Sequence, residues 1–155
     1  MNGLRVPTVS LPVEIVDHDE RSLKGTIFLP AMAHRHEGPA RPDEWINENA
    51  PFFPFLPSDG GRSILLNKAR VVALTVPLST EEHTIPMDLE RTARVIVECG
   101  AARFQGVLRM DMPDEKSRVL DYANRAEAFL ELFDDERCHL IQKRYITRII
   151  EIKES

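Results

Sequence analysis

Short alternations of apolar and polar residues, rather than a sustained helical period, run along this chain in two series. In SLKGTIFL (22–29), Ile27 and Leu29 take one face and Thr26 and Phe28 the other, the period of two that belongs to a strand, with Gly25 marking a bend or bulge. A short apolar strand, 13–16, precedes it across the polar turn DHDER (17–21). After a Pro- and Gly-rich loop over 31–42, Pro42 suits the first turn of a helix over 43–49. Pro51 and Pro54 stop that helix, so PFFPFL (51–56) must be extended, with both prolines expected at a sheet edge. SDGGR (58–62) is a turn, and two strands follow at 63–67 and 70–76, joined by a tight hairpin at Asn67 and Lys68. The second series predicts strands at 93–98 and 103–110, a charged loop at 111–117, a helix over 118–126, a strand over 128–133 and a closing hairpin of 138–142 with 145–152. Alone, 117–133 would read as one amphipathic helix, because Val119, Tyr122, Ala126 and Leu130 recur at helical spacing. The prolines of the first series decide for a short helix followed by a strand.

The two series are one pattern written twice. RPDEWIN (41–47) is answered by RVLDYAN (118–124), 77 positions on, and Phe52, Phe53 and Phe55 by Phe129, Leu130 and Leu132 at the same spacing. LLNKARVVAL (65–74) is answered by LIQKRYITRI (140–149) at a spacing of 75, and Gly25 by Gly106 at 81. The expected organisation is therefore an extended arm (1–12), a first module (13–77), a linker (78–90) and a second module (91–152), each running strand, strand, short helix, strand, strand, strand. The fold class is mainly β with short helices: two tandem small five-stranded barrels, each with a helix inserted before its third strand. A module of this size barely buries enough surface to fold alone, so a core shared between modules, or an oligomer, is expected. The last strand carries Ile146, Ile149, Ile150 and Ile152 on both faces, which predicts cover on both sides from the other module or another subunit.

Composition narrows the function classes. Of 155 residues, 20 are Lys or Arg and 25 Asp or Glu, a formal charge of −5 that disfavours nucleic acid as the main partner. The absence of a long apolar run and of a signal-peptide pattern predicts a cytoplasmic protein with no membrane partner. Cys99 and Cys138 are too few for a disulfide framework and read as buried thiols.

The repeated R-x-x-[DE]-[WY]-x-N block carries the most specific chemistry. As structure, Arg41 with Glu44 and Arg118 with Asp121 pair across a helical turn, Trp45 and Tyr122 anchor the helix, and Asn47 and Asn124 end it in a left-handed cap or by bonding backbone of the next strand. As function, Arg41, Asn47, Arg118 and Asn124, with Lys68 and Lys143 at the hairpin tips, would form paired sites for an anion or a base. The structural reading is favoured, because an active site seldom needs duplicating within one short chain. His34 and His36, with Glu37 nearby, offer metal-ligand chemistry in a loop without fixed geometry, and the second module has no equivalent. His18, His83 and His139 show no nucleophile and orienting acid beside them in sequence. No catalytic residue, metal or cofactor is assigned.

The strand-Gly-strand opening and the closing hairpins LLNKARVVAL and LIQKRYITRI resemble the small bent barrel of the Sm-like families. The block R-x-x-D-[YW]-x-N followed by F-[LF] looks like that of an uncharacterised bacterial domain family associated with the same barrel. Within the Sm-like families, RNA binding uses an Asp and Asn in the first hairpin and a basic-Gly pair in the second; here Asn67-Lys68 and Gln142-Lys143 lack the Gly. The D-x-S-x-x-G mark of the PilZ barrels does not occur. The duplication, the doubly apolar last strand and the lack of a convincing catalytic set point to a non-enzymatic module acting through protein contacts, as a homo-oligomer; RNA or nucleotide binding is the alternative, and a metal-dependent hydrolase around His34 and His36 a third reading.

Overall fold

The computed structural model describes residues 7–33, 38–78, 91–110 and 118–152. Its strands are β1 (Thr8–Asp17), β2 (Ser22–Pro30), β3 (Phe52–Pro57), β4 (Ile64–Asn67), β5 (Val71–Pro77), β6 (Arg91–Cys99), β7 (Ala102–Met110), β8 (Phe129–Phe133), β9 (Arg137–Gln142) and β10 (Arg148–Glu151). One-turn helices α1 (Pro42–Ile46) and α2 (Val119–Ala123) precede β3 and β8. The chain is mainly β, and its strands form one open antiparallel sheet in the order β10-β6-β7-β8-β9-β5-β1-β2-β3-β4.

The sheet corrects the expectation of two closed barrels. In each half the fifth strand lies beside the first and the fourth beside the third, but the fourth and fifth of the same half do not pair. β5 pairs with β9, the fourth strand of the other half, and this seam joins the halves. The turn chemistry explains why no hairpin forms at Asn67. A two-residue hairpin needs positive φ at its centre, whereas Asn67 has φ −85° and its side chain accepts from the Ala69 N–H, winding Lys68–Arg70 into a single 3₁₀ turn. The chain turns a corner there, delivering β5 to the far side of β1. Lys143–Tyr145 repeats the corner between β9 and β10.

Pairing registers repeat as the sequence does. Val13 faces Gly25 and Val95 faces Gly106; Ile15 faces Leu74 and Val97 faces Ile149; Thr26 faces Leu56 and Val107 faces Phe133; Phe53 faces Leu66 and Leu130 faces Ile141. Gly25 and Gly106 do the same work. A Cβ on Gly25 would fall onto the carbonyl oxygen of Leu56, and one on Gly106 onto that of Phe133. Glycine lets the third strand of each half cross close over the second.

The alternation seen in sequence builds two cores. One collects Ile15, Ile27, Trp45, Phe53, Phe55 and Leu74, together with Cys138 and Leu140 contributed by β9. The other collects Val95, Val97, Leu108, Leu130, Leu132 and Ile141, together with Val72 and Ala73 contributed by β5. β5 and β9 form the wall between them, and each is buried on both faces. A fully buried Leu, Ile or Phe stabilises by ~1.5–3 kcal/mol, so each half depends on side chains from the other.

Three further expectations change. Residues 8–12, expected in an arm, are the first part of β1 and pair with β2 from Thr8 opposite Pro30 onward. Pro54 lies in a strand between two others, but β2 meets β3 only at Gly25–Pro57 and Thr26–Leu56, so its missing N–H faces no partner strand. The doubly apolar last strand is an outer edge of the sheet among the described residues, with Ile150 38% exposed; its first-half counterpart β5 is the strand covered on both faces.

Candidate functional site

Each repeated block forms an inward-tied corner. In the first, Arg41 Nε lies 3.2 Å from Glu44 Oε1, and the same oxygen accepts from the Arg41 backbone N–H. Trp45 is buried and meets Phe53 edge-on at 5.0 Å between ring centres. Lys68, 8% exposed, donates to the carbonyls of Trp45 (3.0 Å) and Glu48 (3.2 Å), answering the carbonyls a helix end leaves free. Burial lowers the Lys68 pKa, with nearby Glu48 acting against that shift. In the second block, Arg118 Nε lies 3.3 Å from Asp121, and Lys143 donates to the Arg125 carbonyl at 2.8 Å. Burial lowers the Lys143 pKa in turn, opposed by Glu127.

The two asparagines differ. Asn47 Nδ2 donates to the Asp43 carbonyl (2.8 Å), and its Oδ1 accepts from the Phe129 N–H (2.9 Å), the first residue of β8 in the other half. Neither asparagine takes a left-handed cap: φ is −87° at Asn47 and −89° at Asn124. Nor does Asn47 bond the next strand along the chain; it bridges the halves. Asn124 is exposed, and its side chain makes no hydrogen bond among the described residues. Of the six residues considered for an anion or base, Arg41, Asn47, Lys68, Arg118 and Lys143 are thus bonded within the fold.

The seam adds groups that local sequence does not signal. Gln142 Nε2 donates to the carbonyls of Lys68 (2.6 Å) and Val71 (3.1 Å) across it, and Tyr145 donates to the Ala69 carbonyl at 2.5 Å. His139 lies between Thr75 Oγ1 (2.7 Å) and Asp134 Oδ2 (3.0 Å). Thr75 is 64 positions away, so no local motif could reveal it. Asp134 accepts from Nε2–H, so a neutral ring receives the Thr75 hydroxyl proton at Nδ1. Burial depresses the His139 pKa and outweighs the opposing pull of Asp134. Burial also acts against the Asp134 carboxylate, yet the N–H groups of Glu136 and Arg137, with His139, hold its pKa below the usual range. Thr75 is 9% and His139 7% exposed, within strands buried on both faces, so the chain of hydrogen bonds pins the seam.

Other chemistry is sparse among the described residues. Asp17, His18 and Asp19 bring donor atoms within 4.8 Å of one another, but Asp17 Oδ1 already accepts from the N–H groups of Asp19 and Arg21 in a turn. A hollow of about 140 Å³ beside them, bordered by Cys99 and Tyr145, is smaller than the ~300 Å³ at which small-molecule sites begin. Cys99 and Cys138 are buried thiols not joined in a disulfide, and burial pushes the Cys99 thiol up to about 11. His34, His36 and His83 lie outside the described residues. No helix among the described residues is long and apolar enough to cross a membrane. No family model, curated protein or solved structure matches the chain.

Proposed function

We propose that this chain is a non-enzymatic interaction module that self-associates by strand addition at the two open edges of its sheet. One observation carries the reading: β4 and β10 end the sheet without partners among the described residues, and both present apolar side chains, Leu65 at 69% and Ile150 at 38% exposure. Natural sheet edges are normally blunted by charge, proline or cover; an apolar edge invites another strand. The nucleotide- or RNA-binding alternative is weaker, because most of its expected donors already bond to the fold. As part of the same proposal, each half is an opened relative of the Sm-like barrel, supported by the glycine crossing under the third strand and by the repeated corner. Light scattering at micromolar concentration tests the reading. A particle larger than the 17.7 kDa chain is expected. A strict monomer would defeat it.

A further inference from the structure

We infer that the partner at these edges is a second copy of the chain, added head to tail so that β10 of one copy pairs with β4 of the next in the register already used inside the molecule. This rests on the strand-addition reading and names its partner. The internal seam is a fifth strand against a fourth, β5 against β9, and the ends that are unpaired among the described residues are the remaining fourth and fifth strands, β4 and β10. Such a contact is heterologous: making it once leaves the complementary surfaces unused at opposite ends.

The internal register fixes the external one. Leu74 faces Leu140 and Thr75 faces His139 inside; through the repeat, Ile149 would face Leu65 of the next copy, and Ile150 its Ile64. Exposure follows this scheme. Leu140 is 0% exposed against 69% for its counterpart Leu65, and Phe129 is 5% exposed against 54% for Phe52. Eight large apolar residues are exposed among the described residues, and six of them, Phe52, Leu56, Ile64, Leu65, Leu120 and Ile150, lie on β3, β4, α2 and β10. The helices agree. Asn47 on the α1 side reaches across the internal seam to the N–H of Phe129, and the side chain of its counterpart Asn124 is exposed and makes no hydrogen bond among the described residues, positioned by the repeat to take the Phe52 N–H of the next copy.

Complementation tests the geometry. Leu65→Lys blocks only the β4 end and Ile150→Lys only the β10 end; both sites are exposed, so circular dichroism should show an unchanged fold. Each variant alone should fall to 17.7 kDa, and an equimolar mixture should form a one-to-one particle of twice that mass. In parallel, a chain carrying L65C and I149C should give a ladder of covalent multiples on oxidation, while I64C with I149C should not, because neighbouring positions point to opposite faces. The native thiols are buried and compete poorly. If L65C alone cross-links to itself, or if neither a mixed particle nor the L65C–I149C bond forms while the native chain still assembles, the head-to-tail register is overturned and edge addition survives. If the native chain assembles and both Lys variants keep its size, edge addition itself fails.

Discussion

Replacing Gly106 by alanine tests whether the close crossing of β8 over β7 shapes the fold. A Cβ at Gly106 would stand 3.1 Å from Leu132 Cγ, 3.0 Å from the Phe133 carbonyl carbon, and nearer still to that carbonyl's oxygen. Leu132 could turn aside, but it is fully buried, and the Phe133 carbonyl belongs to the backbone that pairs with Val107. The methyl can therefore be accommodated only by parting the two strands. Overpacking of this kind costs ~1–3 kcal/mol, offset by the ~0.4–1 kcal/mol that alanine gains by restricting the unfolded chain. The net expectation is a loss of about 1–2 kcal/mol. At ~2–4 °C per kcal/mol for a chain of this size, the thermal midpoint should fall by ~2–8 °C. Gly25→Ala should move the same way, since its Cβ would meet the Leu56 carbonyl oxygen and stand 2.9 Å from Cε1 of the fully buried Phe55 ring. Thermal melting followed by circular dichroism, with urea unfolding to check that the slope is unchanged, reads the effect. A midpoint equal to or above that of the native chain for either variant would refute the crossing argument.

Two further outcomes follow from the seam. Asn47→Ala strands the buried-side N–H of Phe129 and should cost ~1–3 kcal/mol in urea unfolding, whereas Asn124→Ala, measured dilute enough to keep the chain monomeric, should stay within ~0.5 kcal/mol; equal losses would contradict the bridging role of Asn47. His139 has a folded pKa below its ordinary value near 6.5, so the unfolded chain takes the proton first, and the contribution of the neutral ring, complete above that value, is lost as pH falls through the window beneath it. Asp134, also depressed, adds a separate loss below pH ~3.9. The melting temperature should drop between pH 7 and 5, and His139→Gln should flatten that drop; the same slope in both proteins would dismiss the histidine's part.

Much of this architecture is legible in the chain because it rests on local chemistry. A period of two builds a strand wherever one face is buried, and prolines at 51 and 54 exclude a helix that the second copy's sequence would otherwise allow. The pairing of Arg41 with Glu44 and of Arg118 with Asp121 needs only one helical turn. What stayed hidden is which strand meets which. The pattern of β5 says that both faces are covered, but β10 is nearly as apolar and lies at the edge; the difference is made by β9, a partner more than 60 positions away. The corners are hidden for a related reason. Asn67 and Lys68 are ordinary turn residues, and only the extended φ of Asn67 together with its bond to Ala69 sends the chain around a corner. The bridging role of Asn47 depends on Phe129, 82 positions on, where no spacing rule reaches.

In the proposed head-to-tail contact the open ends would repeat the register of the internal seam but not its chemistry, and that difference bears on how copies would join. Inside, Thr75 faces His139 and Gln142 crosses to two carbonyls, so the wall between the cores contains polar groups that need their partners. The matching positions at the ends are Ile150, Ile64 and Asn67, and the Asn67 side chain is already spent within its own turn. Were β9 of one copy to exchange onto β10 of another, His139 would face Ile150 and lose the Thr75 hydroxyl, and each buried polar group left without a partner costs ~1–3 kcal/mol. In the converse exchange, Ile64 against Thr75 would strand the hydroxyl. Matched apolar pairs outside and matched polar pairs inside therefore favour the same arrangement. The polar seam holds the two halves of one chain together, and under the proposed assembly the apolar ends would be left for the next copy.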